Sequence, residues 1–202
     1  GKLVKNFKSL DWLKGNLDRE NLVLFDVRHA LDDEDYGINA YKKDHIPNSI
    51  FIGLEETLTG QVKDHGGRHP LPNMEVFANL AMAGRLWWML RYIGFQEVYV
   101  LLGGYDGWQA KNYPLDDNKH NIKKANKLSF NIQDHMWADI DEVKETIKKD
   151  NQVLVDSRTP ERYKGEVEPM DRIPGHIPGA INLPWTQVVD DQVDQEKLRG
   201  YF

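Results

Sequence analysis

The 202 residues carry 26 Lys+Arg against 32 Asp+Glu, a formal charge of −6, which argues against a nucleic-acid partner. With 40% hydrophobic and 29% charged residues the composition is that of a globular chain, large enough for one compact domain or two small ones. No cysteine is present, so disulfides, cysteine-ligated zinc and a thiol nucleophile are excluded for these residues.

From the N-terminus, Gly1 to Lys5 lacks both the apolar core of a secretory signal and an initiator methionine. The chain need not be the whole gene product, which weakens a reading of compartment from this end; a cytoplasmic location is the expectation. Ser9 to Lys14 is expected to form a short helix closed by Gly15. The apolar run Val23-Leu24-Phe25 leads into Asp26-Val27-Arg28 and reads as a buried strand. Residues two apart on a strand share a face, so the Asp26 carboxylate is placed to hold Arg28 in a structural ion pair, and the same motif at Asp156 and Arg158 is expected to pair likewise. After the acidic Asp32-Asp33-Glu34-Asp35, His45-Ile46-Pro47 sets a turn ahead of a short apolar strand.

His65 and His69 are four apart, but Gly66-Gly67 and Pro70 deny them the helix that would align two ligands, so no metal site is expected. Pro72-Asn73 opens one helical stretch, and Arg85 to Tyr92 forms another that reaches Gly94, with Trp87 and Trp88 on a packed face. The run Ala81 to Leu90, broken by Arg85, falls short of the ~18 apolar residues of a membrane span, so no membrane partner is expected. Val98 to Leu102 is a buried strand, and Gly103-Gly104 after it are turn glycines without nucleotide-loop spacing. Lys111 to Asn126, polar and containing Pro114, reads as a linker, followed by a weak strand at Lys127 to Ile132. Asp139-Ile140-Asp141-Glu142 has capping-box spacing for a helix running to about Lys149, and Glu196 to Leu198 falls in an amphipathic helix.

The chain repeats itself. Val153-Leu154-Val155-Asp156-Ser157-Arg158 matches the first Asp-x-Arg strand at an offset of 130, and His176-Ile177-Pro178-Gly179-Ala180-Ile181 matches the segment from His45 at an offset of 131. Each unit reads helix, strand, Asp-x-Arg, loop, His-Ile-Pro turn, strand, which predicts an α/β fold with a largely parallel sheet flanked by helices. The second unit has too few strands to be stable alone, so it either borrows pairing from the first or continues in further residues. The units differ in charge: Arg162 and Arg172 stand on the loop after Arg158, where the first unit is acidic. There they could grip a small anion through forked hydrogen bonds, or form a solvated charged loop.

The doubled Asp-x-Arg and His-Ile-Pro elements, Gly67-Arg68-His69-Pro70-Leu71-Pro72, Leu86 to Tyr92, Gly103-Gly104 to Trp108 and Arg162-Tyr163-Lys164-Gly165-Glu166 resemble a tandem-domain rhodanese of the thiosulfate or 3-mercaptopyruvate sulfurtransferase type. The resemblance implies two rhodanese-like domains: 1–115, catalytically silent; a linker at 116–126; and 127–202, the first part of the second domain. It further implies that a cysteine in the second domain accepts a sulfane sulfur as a persulfide and passes it to a thiol or cyanide, with no cofactor. That nucleophile and its loop would follow Phe202. A second departure from the family lies near Leu80 to Ala83, where members place a strand and loop and this chain joins two helical stretches.

By the same resemblance Arg162 contacts the anionic donor, Arg172 does so less securely, and Asp35 and His45 match first-domain residues that approach the reactive loop to assist proton transfer. The alternatives are a non-catalytic rhodanese-like module that binds a partner or small anion, and a phosphatase of related fold. The tandem repeat disfavours the phosphatase.

Overall fold

The computed structural model describes residues 6–58, 72–130, 137–138 and 140–158. The elements are β1 (Phe7–Lys8), α1 (Leu10–Asn16), β2 (Leu22–Asp26), α2 (Tyr36–Lys43), β3 (Ile50–Leu58), α3 (Pro72–Tyr92), β4 (Val98–Leu101), α4 (Gly104–Ala110), β5 (Ile122–Phe130), β6 (Trp137–Ala138), α5 (Asp141–Thr146) and β7 (Gln152–Asp156). The described strands form one sheet in the order β1-β4-β7-β2-β3-β5-β6. Every pairing is parallel except β5 with β6.

Buried parallel strands need apolar side chains on both faces, and the central ones have them. Val23 and Phe25 of β2, Val153 and Val155 of β7, and Val98 and Val100 of β4 point into one layer with α3 and α5. Leu24, Leu154 and Leu101 point the other way, against Leu10 and Leu13 of α1 and Trp108 of α4. Ser9 caps α1 by accepting from the Trp12 amide at 3.0 Å. The helix does not stop at Gly15 as expected. Asn16 adds a last residue and its side-chain amide donates to the Trp12 carbonyl at 2.7 Å, so the turn closes without a left-handed glycine.

The two helical stretches around Leu80 are one helix, α3, and it is buried on nearly every side. Leu80, Met82, Ala83, Leu86 and Leu90 pack in the core, and the Trp87 indole donates to the Val98 carbonyl at 2.9 Å. Trp88 stays partly outside and stacks on Tyr92. Because α3 runs unbroken, the first unit supplies no strand between β2 and β4. β7 fills that slot, paired with β2 over Leu22↔Gln152 to Asp26↔Asp156 and with β4 over Val98↔Val153 to Val100↔Val155. The second unit thus borrows its pairing from the first, one of the two outcomes its scarcity of strands predicted.

The segment read as a linker is tied down more closely than its composition suggests. His45 and Asp116 exchange backbone hydrogen bonds at 2.8 Å each way, Trp108 donates to the Pro114 carbonyl at 2.6 Å, and β5 starts at Ile122, five residues before the expected strand. Pairing with β3 overrides the polar composition there, and since β6 covers β5 only at Leu128 and Ser129 among the described residues, Lys123 and Lys124 lie along an open edge that tolerates lysines. The helix expected to reach Lys149 ends at Thr146, because Ile147 turns extended and packs into the core. Of its capping box, Asp139 lies outside the described residues, and Ile140 occupies the cap. The expected histidines at 65 and 69, the second His-Ile-Pro turn and the helix at 196–198 also lie outside them.

A close approach fixes where α2 sits. A β-carbon on Gly37 would lie 2.1 Å from the Arg28 carbonyl oxygen and 3.0 Å from the Phe51 ring. Gly37→Ala is expected to lower stability by about 1–3 kcal/mol through overpacking, read as a lower urea midpoint at unchanged m-value.

Candidate functional site

In a parallel sheet the strand carboxyl ends open where ligands bind in α/β folds. Here that edge is built from β2, β7 and β4, and it brings the two Asp-x-Arg repeats side by side. Asp26 and Asp156 are register partners on neighbouring strands, and both are fully buried.

Their arginines behave differently. Arg28 folds back on Asp26: its Nε lies 3.1 and 3.0 Å from the two carboxylate oxygens and its Nη2 lies 2.8 Å from Oδ2, while its own amide donates to Oδ1 at 3.0 Å. Nη2 also donates to the Asp44 carbonyl at 2.8 Å, and the guanidinium lies 3.9 Å from the Tyr105 ring centroid, a cation–π distance. Burial opposes the Arg28 charge, but attraction and hydrogen bonds from Asp26 outweigh it and raise the pKa. The ion pair expected in the first unit is therefore present. In the second it is not: Arg158 Nε donates to Asp106 of α4 at 2.9 Å, at a half-exposed position. Among the described residues no side chain donates to either Asp156 oxygen, and the Tyr105 backbone alone favours its charge by hydrogen bonding.

The glycines after β4 make this edge. Gly103 and Gly104 adopt φ of 96° and 54°, a left-handed turn open to glycine that starts α4 directly above the strand ends. Tyr105 then lies over Arg28, its amide donates to the Ser157 carbonyl at 3.0 Å, and its hydroxyl donates to the Asp44 carboxylate. Burial first and that carboxylate second push the Tyr105 hydroxyl up to about 12. On the flank, Asn79 of α3 bridges the His29 backbone and the Glu75 carbonyl, and the Leu31 amide lies 3.3 Å from both Glu75 carboxylate oxygens. Burial raises the Glu75 pKa against that amide.

A family model described as Rhodanese-like domain matches residues 9–111 and 139–200. The chain belongs to the rhodanese-like family. A Pseudomonas aeruginosa protein named "Probable 3-mercaptopyruvate sulfurtransferase" is 32% identical over 190 residues, covering 83% of this chain and 66% of its own length. The 3-mercaptopyruvate sulfurtransferase of Escherichia coli is 30% identical over 210 residues, covering 91% of this chain and 72% of its own. The chain thus spans about two thirds of such relatives. The crystal structure of SseA from Escherichia coli aligns with a TM-score of 0.42 and 24% identity over 59% of this chain and 54% of that one.

Of the residues that the rhodanese resemblance nominated, the structure describes two. Asp35 is exposed at the N-terminal end of α2, where its amide donates to Asp33. His45 follows the C-terminal end, and the eight residues of α2, about 12 Å at 1.5 Å per residue, hold the two apart. The His45 ring is 1% exposed, stacks on Tyr41 with centroids 3.7 Å apart, and has Nδ1 2.7 Å from the Tyr41 carbonyl. In those surroundings it braces the rhodanese His-Ile-Pro turn. Arg162 and Arg172 lie outside the described residues.

Sequence reasoning missed Tyr105, Asp106 and Asp44. A Gly-Gly-Tyr-Asp-Gly run directly after a buried strand was the available signal. The ion pairs differ in kind, which sets their expected energies. Arg28→Met leaves two buried carboxyl groups without a cation and is expected to cost about 3–5 kcal/mol, whereas Arg158→Ala, at a part-exposed pair, is expected to cost under about 1 kcal/mol. Chemical denaturation of the two variants checks the contrast.

Proposed function

We propose that this chain is part of a sulfurtransferase that moves a sulfane sulfur from thiosulfate or 3-mercaptopyruvate to a thiophilic acceptor, a thiol or cyanide. The observation that carries the reading is the match of both halves of the repeat to the rhodanese-like family, together with relatives near 30% identity that are named sulfurtransferases. In this reading a thiolate attacks the outer sulfur of the donor, a persulfide forms, sulfite or pyruvate leaves, and the acceptor removes the sulfur. Arg162, with Arg172 as a further candidate, holds the anionic end of the donor through charge-assisted hydrogen bonds. Asp35 is exposed and available to approach the reacting groups, whereas His45 would have to leave the core to do so.

The 202 residues hold no cysteine, so the persulfide step needs a thiol they do not supply. That same observation favours a second reading, a non-catalytic rhodanese-like module that binds a partner or small anion. Thiocyanate formation from thiosulfate and cyanide by the product of the complete gene separates the two. Under the first reading, Arg162→Ala lowers kcat/KM for the donor about tenfold or more, as removal of a charge-assisted hydrogen bond does. An unchanged kcat/KM overturns the role of Arg162. Absence of any thiocyanate leaves the binding module.

A further inference from the structure

We infer that insertion of β7 between β4 and β2 is proton-dependent: Asp156 enters the sheet with a neutral carboxyl group, and its ionisation drives β7 out of the slot. The geometry that requires this is a count of charges. Around the buried end of β7 stand Asp26 and Arg28 from β2 and the residues after it, and Asp106 from α4 with Arg158 beside it. These four form two ion pairs and so balance one another. Asp156 is buried from water, no side chain among the described residues donates to it, the Tyr105 backbone is the one donor that favours its charge, and its register partner across the β2–β7 pairing is another carboxylate. Among the described residues the other neighbours bring no further cation. β4 presents Val100 and Leu101 at this level, and the Tyr105 hydroxyl is already engaged with Asp44. An ionised Asp156 would be a surplus negative charge in a water-free site, which a domain avoids by keeping the proton.

Burial, then the Asp26 charge, raise the Asp156 pKa well above its ordinary value, against the weaker pull of Arg28. In the unfolded chain Asp156 titrates near the usual aspartate value. The stabilisation from a neutral Asp156 is thus complete below that value and is lost as the pH rises toward the folded one. Over that window the inserted state binds one proton more than the released state, so the unfolding constant rises up to about tenfold per pH unit.

The test compares the full 202-residue chain with its Asp156→Asn variant, which has nearly the same shape and no charge to lose. Between about pH 5 and pH 8 the variant is expected to show an unfolding constant that rises less steeply, and a higher Tm at the alkaline end. Hydrogen exchange at about pH 8 is expected to show wild-type β7 amides opening sooner than those of β3 and β5, with the difference reduced in the variant. Parallel pH profiles for the two proteins overturn the proposal. Should the variant fail to fold, carboxyl-carbon NMR of the wild type decides. One aspartate still protonated above about pH 6 supports the proposal, and complete ionisation of all of them by about pH 5 overturns it.

Discussion

The slot between β2 and β4 governs the rest of this molecule. Parallel strands expose unpaired backbone on both sides until neighbours arrive, and β2 and β4 are the two most deeply buried strands of the first unit. With α3 running unbroken through the stretch where a strand would have been, only a distant segment can close the sheet. β7 does so because it has the sequence of β2 in outline. Val153, Leu154 and Val155 reproduce the alternation of Val23, Leu24 and Phe25, so each side chain arrives at a layer already shaped for it.

Such likeness has a cost at the carboxyl end. Matching strands in matching register bring matching aspartates together, and one site cannot hold two charged carboxylates on one guanidinium. The conflict is relieved by divergence of the arginines. Arg28 turns inward, with Nε and Nη2 toward Asp26 and the Asp44 carbonyl, while Arg158 turns outward to α4. A duplicated motif has here become two unlike structures, one a buried clamp and the other a surface tether.

Much of this was legible in the amino-acid order. The Asp-x-Arg strands, the alternation of helix and strand, the turn at Gly103-Gly104 and the packed face of Trp87 follow from local periodicity and backbone sterics, which a single segment reveals by itself. The location of β7 could be anticipated only as a need for pairing, since which strand lies beside which is decided by non-local burial. The same reason explains β5, whose Lys123-Lys124 reads as polar linker until β3 is beside it. At the site, His45 was legible as a turn-former, and Asp26 with Arg28 as a pair. The partner of Arg158 was not, because Asp106 lies 52 residues away and reaches it through the start of α4.

The arrangement of β7 also bears on how the polypeptide is made. At a translation rate of ~5–20 residues per second, β7 leaves the ribosome roughly 6–26 s after β2, its partner 130 residues earlier. For roughly 3–11 s of that interval, between β4 and its partner β7 55 residues later, the nascent chain holds an open seam in its sheet, long compared with the time in which helices and hairpins form. Apolar side chains of β2 and β4 and their unpaired backbone are the kind of transiently exposed surface that makes a nascent chain prone to aggregate before its sheet closes.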